Sequence, residues 1–301
     1  MRMDTVLIGV DFSEAALSAA HWTTRVLAPD AAATLLFVVD LPRPPGFLKR
    51  LLPVPVELGK TLEEGARQRL ARLQEELAPA RTSVRIGTGT PDEVLDQAAS
   101  EIGADLIVIG QHGHGNPVGS VLGTTAEKLV RRSHVPVLVA RNLPDGPPRA
   151  ILLPVDESGH AALVLAWGRV LQERFDAEVI VLYAVEPHLS GRVRLVSTLP
   201  RADALENQLL AAADAWLEEQ IVTAGLSSQH TRRVVRLGDP AHEIPAVQSA
   251  YYADLVVMGT RGAGAASALL LGSVAARVLR SAGCSVLLVT RPDDEPERAE
   301  S

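Results

Sequence analysis

Short apolar runs without polar alternation recur along the chain, separated by stretches in which apolar residues return every three or four positions. In the first half the runs fall near 5–10, 34–39, 82–86, 105–109 and 136–140. In the second they fall near 150–155, 178–184, 232–236, 254–258 and 285–289. Leucine-rich and β-branched runs that are apolar at every position predict strands buried on both faces of a parallel sheet. The intervening stretches read as amphipathic helices, as in Leu62, Ala66, Leu70, Leu73 and Leu77. Strand and helix alternate throughout, which predicts an α/β protein of doubly wound type.

The pattern runs through twice. Thr5 to Asp11 (TVLIGVD) is echoed by Ala150 to Asp156 (AILLPVD), and each half has five strand-like runs. The expected organisation is a domain at 1–141, a linker at 142–149, a second domain at 150–291 and a flexible tail at 292–301. The linker carries three prolines and a glycine, strong chain punctuation. Two stretches after the second strand of each half, 42–55 and 187–200, read as lids or crossovers.

Within the repeat lies a repeated glycine spacing. Gly110-xx-Gly113 is followed after nine residues by Gly123-Thr124, and Gly259-xx-Gly262 after nine residues by Gly272-Ser273. Each copy leaves an apolar strand-like run and enters a helix-like one. Glycines permit close backbone approach, and the N–H groups and dipole of a helix start attract anions. The spacing therefore predicts a phosphate cradle in each half. Asp11 and Asp156 each end a first strand. An isolated aspartate there reads as a helix cap. Ligands of open parallel sheets bind outside the carboxyl ends of strands, so an acid facing a phosphate loop reads as the group that takes ribose hydroxyls or an adenine amine. Capping then falls to Ser13 and Ser158.

Other nucleotide signatures fail. Gly59-Lys60-Thr61 resembles the end of a P-loop, but Val54 stands where its first glycine is required, and no G-x-G-x-x-G occurs. Dinucleotide chemistry is disfavoured. His112 and His114 read as polar loop residues rather than a metal pair, and no metal site is expected. With 29 Lys and Arg against 36 Asp and Glu, net charge −7, no broad basic surface for nucleic acid is implied. One cysteine, Cys284, argues against a disulfide framework and for a reducing compartment. No signal-peptide pattern and no apolar run long enough for a bilayer were found, so the expected location is the cytoplasm, away from membranes.

These residues resemble the universal stress protein family over about 1–141 and 150–291. The resemblance implies, in each domain, a five-stranded parallel sheet ordered 3-2-1-4-5 with flanking helices and an ATP-type site. It implies that Asp11 and Asp156 contact ribose or adenine and that Val39 and Val185 line the adenine pocket. It implies phosphate cradles made by Gly110, Gly113, Gly123, Thr124 and Thr125 in the first domain and by Gly259, Gly262, Gly272, Ser273 and Val274 in the second, with Mg2+ accompanying ATP or ADP. Gly87, Gly89 and Gly238 would flank the nucleotide. Neither nine-residue spacer carries the Arg or Lys found in many ATP-binding members. Phosphate charge would then fall to amides, His112, His114, Arg261 or magnesium.

The expected function is a cytoplasmic stress-response protein that binds ATP or ADP and acts through conformation or a protein partner, not through catalysis. The alternatives are a slow ATPase or adenylyl-transfer enzyme on the same fold, and a nucleotide-free dimerisation scaffold. The fifth strands, Val135 to Val139 and Ser285 to Val289, are apolar. Such strands at a sheet edge need a partner, so the two domains are expected to pair through them, with a homodimer as a further step. Either domain expressed alone should dimerise or aggregate, and Leu138→Lys should break domain pairing. Isolated domains that stay monomeric in light scattering at high concentration would count against that assembly.

Overall fold

The computed structural model describes residues 3–40, 56–77, 80–113, 122–186, 202–262 and 271–290. The two lid-like stretches, His114 and the tail lie outside them. The chain divides into two compact units, Arg2–Ala140 and Arg141–Ser301 (the latter grouped with Met1).

In the first unit the elements run β1 (Thr5–Gly9), α1 (Glu14–Trp22), β2 (Ala32–Val39), α2 (Val56–Glu76), β3 (Thr82–Thr88), α3 (Pro91–Ile102), β4 (Leu106–Gly110), α4 (Thr124–Arg132) and β5 (Val137–Ala140). The strands are parallel and ordered β3-β2-β1-β4-β5. The second unit has β6 (Ala150–Val155), α5 (Ala161–Phe175), β7 (Glu178–Val185), α6 (Ala202–Ala224), β8 (Thr231–Leu237), α7 (Pro240–Ala250), β9 (Leu255–Gly259), α8 (Ser273–Ser281) and β10 (Ser285–Val289). Its order is β8-β7-β6-β9-β10, again parallel. Both units thus have the doubly wound sheet with flanking helices that the sequence pattern predicts, in the 3-2-1-4-5 order that the resemblance implies. The strand cores are dry: Val6, Leu7, Ile8, Ile107 and Val108 in one unit and Ile151, Leu152, Leu153, Val256 and Val257 in the other are fully buried.

Strand one and strand four separate early. β1 pairs with β4 only through Val6, Leu7 and Ile8, and β6 with β9 only through Ile151 and Leu152. Past those residues the sheet splits, which opens the crevice expected where strand order reverses. The split also accommodates Pro154 in a central strand. Proline lacks the N–H for a ladder bond, and Pro154 pairs in register only with Leu182 of β7, beyond the end of the β9 ladder.

The other end of each sheet is closed by a repeated acid. Asp105 Oδ2 accepts N–H bonds from Asp4 and Thr5, each 2.9 Å. Asp254 Oδ2 accepts from Arg149 at 2.7 Å and Ala150 at 3.3 Å. These carboxylates anchor the starts of β1 and β6, away from the crevice. One difference from the predicted elements is local: Thr23–Leu27 continue α1 as a π-helical turn, and Thr24 Oγ1 donates to the Ala20 carbonyl at 2.9 Å.

The helices preceding strand four end on left-handed residues, Gly103 (φ 62) after α3 and Tyr252 (φ 53) after α7. Glycine takes this region freely and a bulky residue does not. The Tyr252 ring is 86% exposed and so gains little packing in return. Tyr252→Gly should therefore stabilise the second unit by about 0.5–1 kcal/mol, since the strain exceeds the extra backbone entropy of glycine. Calorimetry should show a rise in Tm of about 1–4 °C for a unit of this size; a fall would mean that the exposed ring is held by contacts that outweigh the strain.

Candidate functional site

The site of the first unit is assembled from the ends of β1, β2 and β4. Asp11 leaves β1 and turns the chain. Its Oδ1 accepts from the Ser13 amide at 2.9 Å and the Ser13 hydroxyl at 2.6 Å. Ser13 then caps α1 by accepting from Ala16 N–H at 3.3 Å, and its hydroxyl also lies 3.2 Å from the His112 carbonyl. One serine thus joins the β1 turn to the loop after β4. The second carboxylate oxygen faces the glycine loop: a methyl built on Gly113 would stand 2.6 Å from Asp11 Oδ2. Real carbons do not approach that closely, so only a bare Cα fits there.

The second unit repeats this construction. Asp156 Oδ1 accepts from Ser158 N–H at 3.0 Å, Ser158 Oγ accepts from His160 N–H at 3.3 Å, and a methyl on Gly262 would lie 2.8 Å from Asp156 Oδ2. Both aspartates therefore face their glycine loops. Ser13 caps α1 as expected, but Ser158 does not cap α5: that helix starts behind His160 without a side-chain cap, and Ser158 makes a turn bond to the His160 amide instead. The shared geometry arises from residues about a hundred positions apart.

The remaining glycines divide into two tasks. Gly123 and Gly272 stand just before α4 and α8. Each is held by its N–H to the loop, Gly123 to the Gln111 carbonyl at 3.0 Å and Gly272 to the Thr260 carbonyl at 2.8 Å. A methyl on Gly123 would meet that same Gln111 oxygen at 3.0 Å, and one on Gly272 the Thr260 oxygen at 3.2 Å. Neither α4 nor α8 has a side-chain cap. Among the described residues no side chain accepts from the first-turn amides of Thr124 and Thr125, or of Ser273 and Val274, a disposition suited to an anion. Gly110 and Gly259 serve packing. A methyl on Gly110 would lie 2.9 Å from the Ala16 nitrogen, and one on Gly259 2.8 Å from His160 Cβ. These glycines let the strand-four ends press against the first helix of each unit.

Val39 and Val185 end β2 and β7, and each is tied to the loop beyond the third strand. The Val39 carbonyl accepts from Gly89 N–H at 3.1 Å and the Val185 carbonyl from Gly238 N–H at 3.0 Å. Gly87 and Gly89 both face Val94 of α3. Among the described residues no group of three or more His, Cys, Asp or Glu side chains could hold a metal ion.

Several site features carry no signal in the linear sequence. Phe12, next to Asp11, has φ 63 and is buried; its ring lies 5.2 Å from that of Phe37, with the Arg69 guanidinium 3.9 Å above it. At the matching positions of the second unit, Tyr183 packs 5.0 Å from Trp216 and its hydroxyl donates to Glu157 Oε1 at 3.1 Å. Burial first, and then Glu157, Asp156 and Glu186, push the Tyr183 phenol up to about 12. The repeat alignment could have flagged the exchange of Phe12 for Glu157, but not the contacts.

The two copies of one fold agree with the comparisons. Residues 3–141 and 148–290 match the model of the universal stress protein family, and the chain belongs to that family. A universal stress protein of Mycobacterium bovis is 28% identical over 302 residues, covering 94% of this chain and 96% of its own. The crystal structure of a universal stress protein from Archaeoglobus fulgidus superposes with a TM-score of 0.73 at 19% identity, covering 97% of this chain and all of that one. A universal stress protein solved in complex with cAMP is 21% identical and covers 48% of this chain and 98% of its own, with a TM-score of 0.33. No helix among the described residues is long and apolar enough to cross a membrane.

In the second unit an ion pair holds the loop beside the crevice. Arg277 of α8 binds Asp239, the cap of α7, through Nη1 to Oδ2 at 2.6 Å and Nη2 to Oδ1 at 3.0 Å. Arg277 foremost, with the Ala241 amide, holds the Asp239 carboxyl below its ordinary value of 3.8. Both side chains are about half exposed, so Arg277→Ala should cost only about 0.5–1 kcal/mol at neutral pH. A depressed carboxyl stabilises the fold above its unfolded pKa and loses that contribution as pH falls through the folded one. The gap between wild type and variant should thus be full above about pH 5 and close as pH drops below 3.8. Urea titrations from pH 7 downward check this; a gap that stays constant until the protein unfolds in acid would show that the charge is not its source.

Proposed function

We infer that the protein is a cytoplasmic stress-response protein that binds ATP or ADP with Mg2+ in each unit and acts through conformation or a protein partner rather than by turnover. The observation that carries the reading is the approach of a carboxylate oxygen to a bare glycine Cα at Asp11–Gly113 and Asp156–Gly262, beside an uncapped helix start. A carboxylate accepts from ribose hydroxyls or an exocyclic amine, and uncapped amides donate to phosphate. Both chemistries stand at the split between strands one and four, where a nucleotide lies across the sheet end.

The residue roles follow from that placement. Asp11 and Asp156 hold the sugar or base. Val39 and Val185 border the base. Gly113, Gly123, Thr124 and Thr125, and Gly262, Gly272, Ser273 and Val274, give phosphate oxygens backbone at close range. Gly110 and Gly259 support the cradle from behind through their packing on α1 and α5. Magnesium, when bound with nucleotide, supplies charge neutralisation to the phosphates. The domain limits 1–141 and 150–291, and the pairing of the two fifth strands, belong to the same reading.

Titration calorimetry of the full chain should give binding of ATP or ADP with magnesium, and much weaker binding of NAD. Gly113→Ala should displace the Asp11 carboxylate, and Gly123→Val should block phosphate from the loop. Each should weaken binding in the first unit by about tenfold or more while circular dichroism stays unchanged, because removing a charge-assisted bond or a close backbone contact is worth at least 1.4 kcal/mol. NAD binding tighter than ATP, or unchanged ATP binding in both variants, would sink the reading.

A further inference from the structure

We propose that Arg277 of the second unit exchanges partners when a nucleotide binds. A phosphoryl group seated at the start of α8 takes its guanidinium from Asp239, and the loop that Asp239 belongs to loses its tie to that helix. The inference rests on the nucleotide-binding reading above and deepens it, by assigning a phosphate-binding residue that also transmits occupancy.

Arg277 is the fifth residue of α8, one helical turn after Ser273. Residues four apart share a helix face, and helical side chains lean toward the N-terminus. The guanidinium therefore extends along the face that Ser273 opens. The start of α8 carries a second mark of an anion seat besides its uncapped amides. Thr260, whose carbonyl accepts the Gly272 N–H at 2.8 Å, is only 5% exposed, and its hydroxyl has no hydrogen-bond partner among the described residues. A buried donor in that state needs an acceptor.

Arg277 grips Asp239 with both terminal nitrogens, Nη1 to Oδ2 at 2.6 Å and Nη2 to Oδ1 at 3.0 Å. Asp239 follows Gly238, whose N–H donates to the Val185 carbonyl at 3.0 Å. The ion pair thus joins the loop on the base side of the crevice to the helix on its phosphate side. In the first unit Thr90 precedes α3 where Asp239 precedes α7, and Lys128 is the fifth residue of α4. A threonine cannot hold a cation in this way, so the tie belongs to the second unit.

The exchange costs the acid little. Both side chains are about half exposed, and such pairs contribute little to stability. Asp239 Oδ1 also accepts from the Ala241 N–H at 3.1 Å, at the N-terminus of α7. That amide, the helix dipole and water still serve the carboxylate once Arg277 leaves. A phosphoryl group carries more charge than a carboxylate and takes a guanidinium in the same bidentate manner.

The experiment compares Arg277→Ala and Asp239→Asn in the full chain. Asparagine caps a helix as well as aspartate does and carries no charge. Protection of the amides at 271–280 from hydrogen exchange, titrated with Mg2+-ATP, reports the second site without silencing the first. The two partners of one ion pair should act with opposite signs. Arg277→Ala removes a phosphate ligand and should weaken ATP about tenfold, whereas Asp239→Asn removes the competing anion and should tighten it about threefold. A tie that only holds the fold would weaken ATP from either side. In the wild type ATP should also speed exchange at 238 and 239, the loop it frees. Should Arg277→Ala unfold, Arg277→Gln keeps the side-chain length and tests the same loss of charge. Affinity that falls in both variants or moves in neither, or loop exchange that ATP leaves unchanged, would overturn this proposal alone. Absence of ATP binding at the second site of the wild type would overturn the nucleotide reading of that unit and this proposal together.

Discussion

The site in each unit depends on one steric fact: a carboxylate oxygen and a glycine Cα occupy space that a single extra carbon would fill. Asp11 against Gly113, and Asp156 against Gly262, hold the strand-one turn and the strand-four loop at a fixed separation. The rest of the crevice follows from it. The serine two residues on completes the turn in both units, and in the first it also caps the first helix. Gly110 and Gly259 bring that helix against the strand-four end, so the turn cannot retreat. Burial supplies the rigidity behind it, since β1, β4, β6 and β9 are dry along their cores and close-packed interiors transmit displacement poorly absorbed elsewhere.

Each unit carries two repeated aspartates, and geometry separates their tasks. Asp105 and Asp254 accept backbone N–H groups at the start of the sheet and have no crevice to serve. Asp11 and Asp156 keep one oxygen for the local turn and aim the other at the loop. Repetition alone thus does not identify a ligand-binding acid. Its place at the carboxyl or amino end of a strand decides whether it borders the crevice.

Duplication has kept the backbone and released the side chains. Phe12 with Phe37 and Arg69, and Glu157 with Tyr183 and Trp216, fill the same place beside the strand-one turn with opposite electrostatics. The helix stays in both, the aromatic contact stays in both, and the charge is reversed. A similar divergence holds at the helix tie, where Arg132 of α4 reaches Asp92 of α3 at 3.0 Å in one unit and Arg277 of α8 reaches Asp239 in the other. Packing volume is conserved because a cavity or overlap costs stability directly, whereas exposed charge is nearly neutral for folding and free to specialise.

The alternation of apolar runs with helical periodicity determined, in the sequence by itself, the strand–helix succession, the parallel sheets and their duplication, because burial on both faces leaves a pattern local to each run. The glycine spacing and the two strand-end aspartates were legible for the same reason: turn and cradle chemistry is written within a dozen residues. Strand ends were read to within one or two residues, as for β2, where the run at 34–39 extends to Ala32–Val39. What only the tertiary structure decided involves residues far apart in the chain. Ser13 meeting the His112 carbonyl, Gly110 pressing on α1, Tyr183 reaching Glu157 and the left-handed turn at Phe12 all depend on where the first helix lies against strand four. No periodicity encodes that distance, since it is fixed by packing across the split in the sheet rather than by any neighbour in sequence.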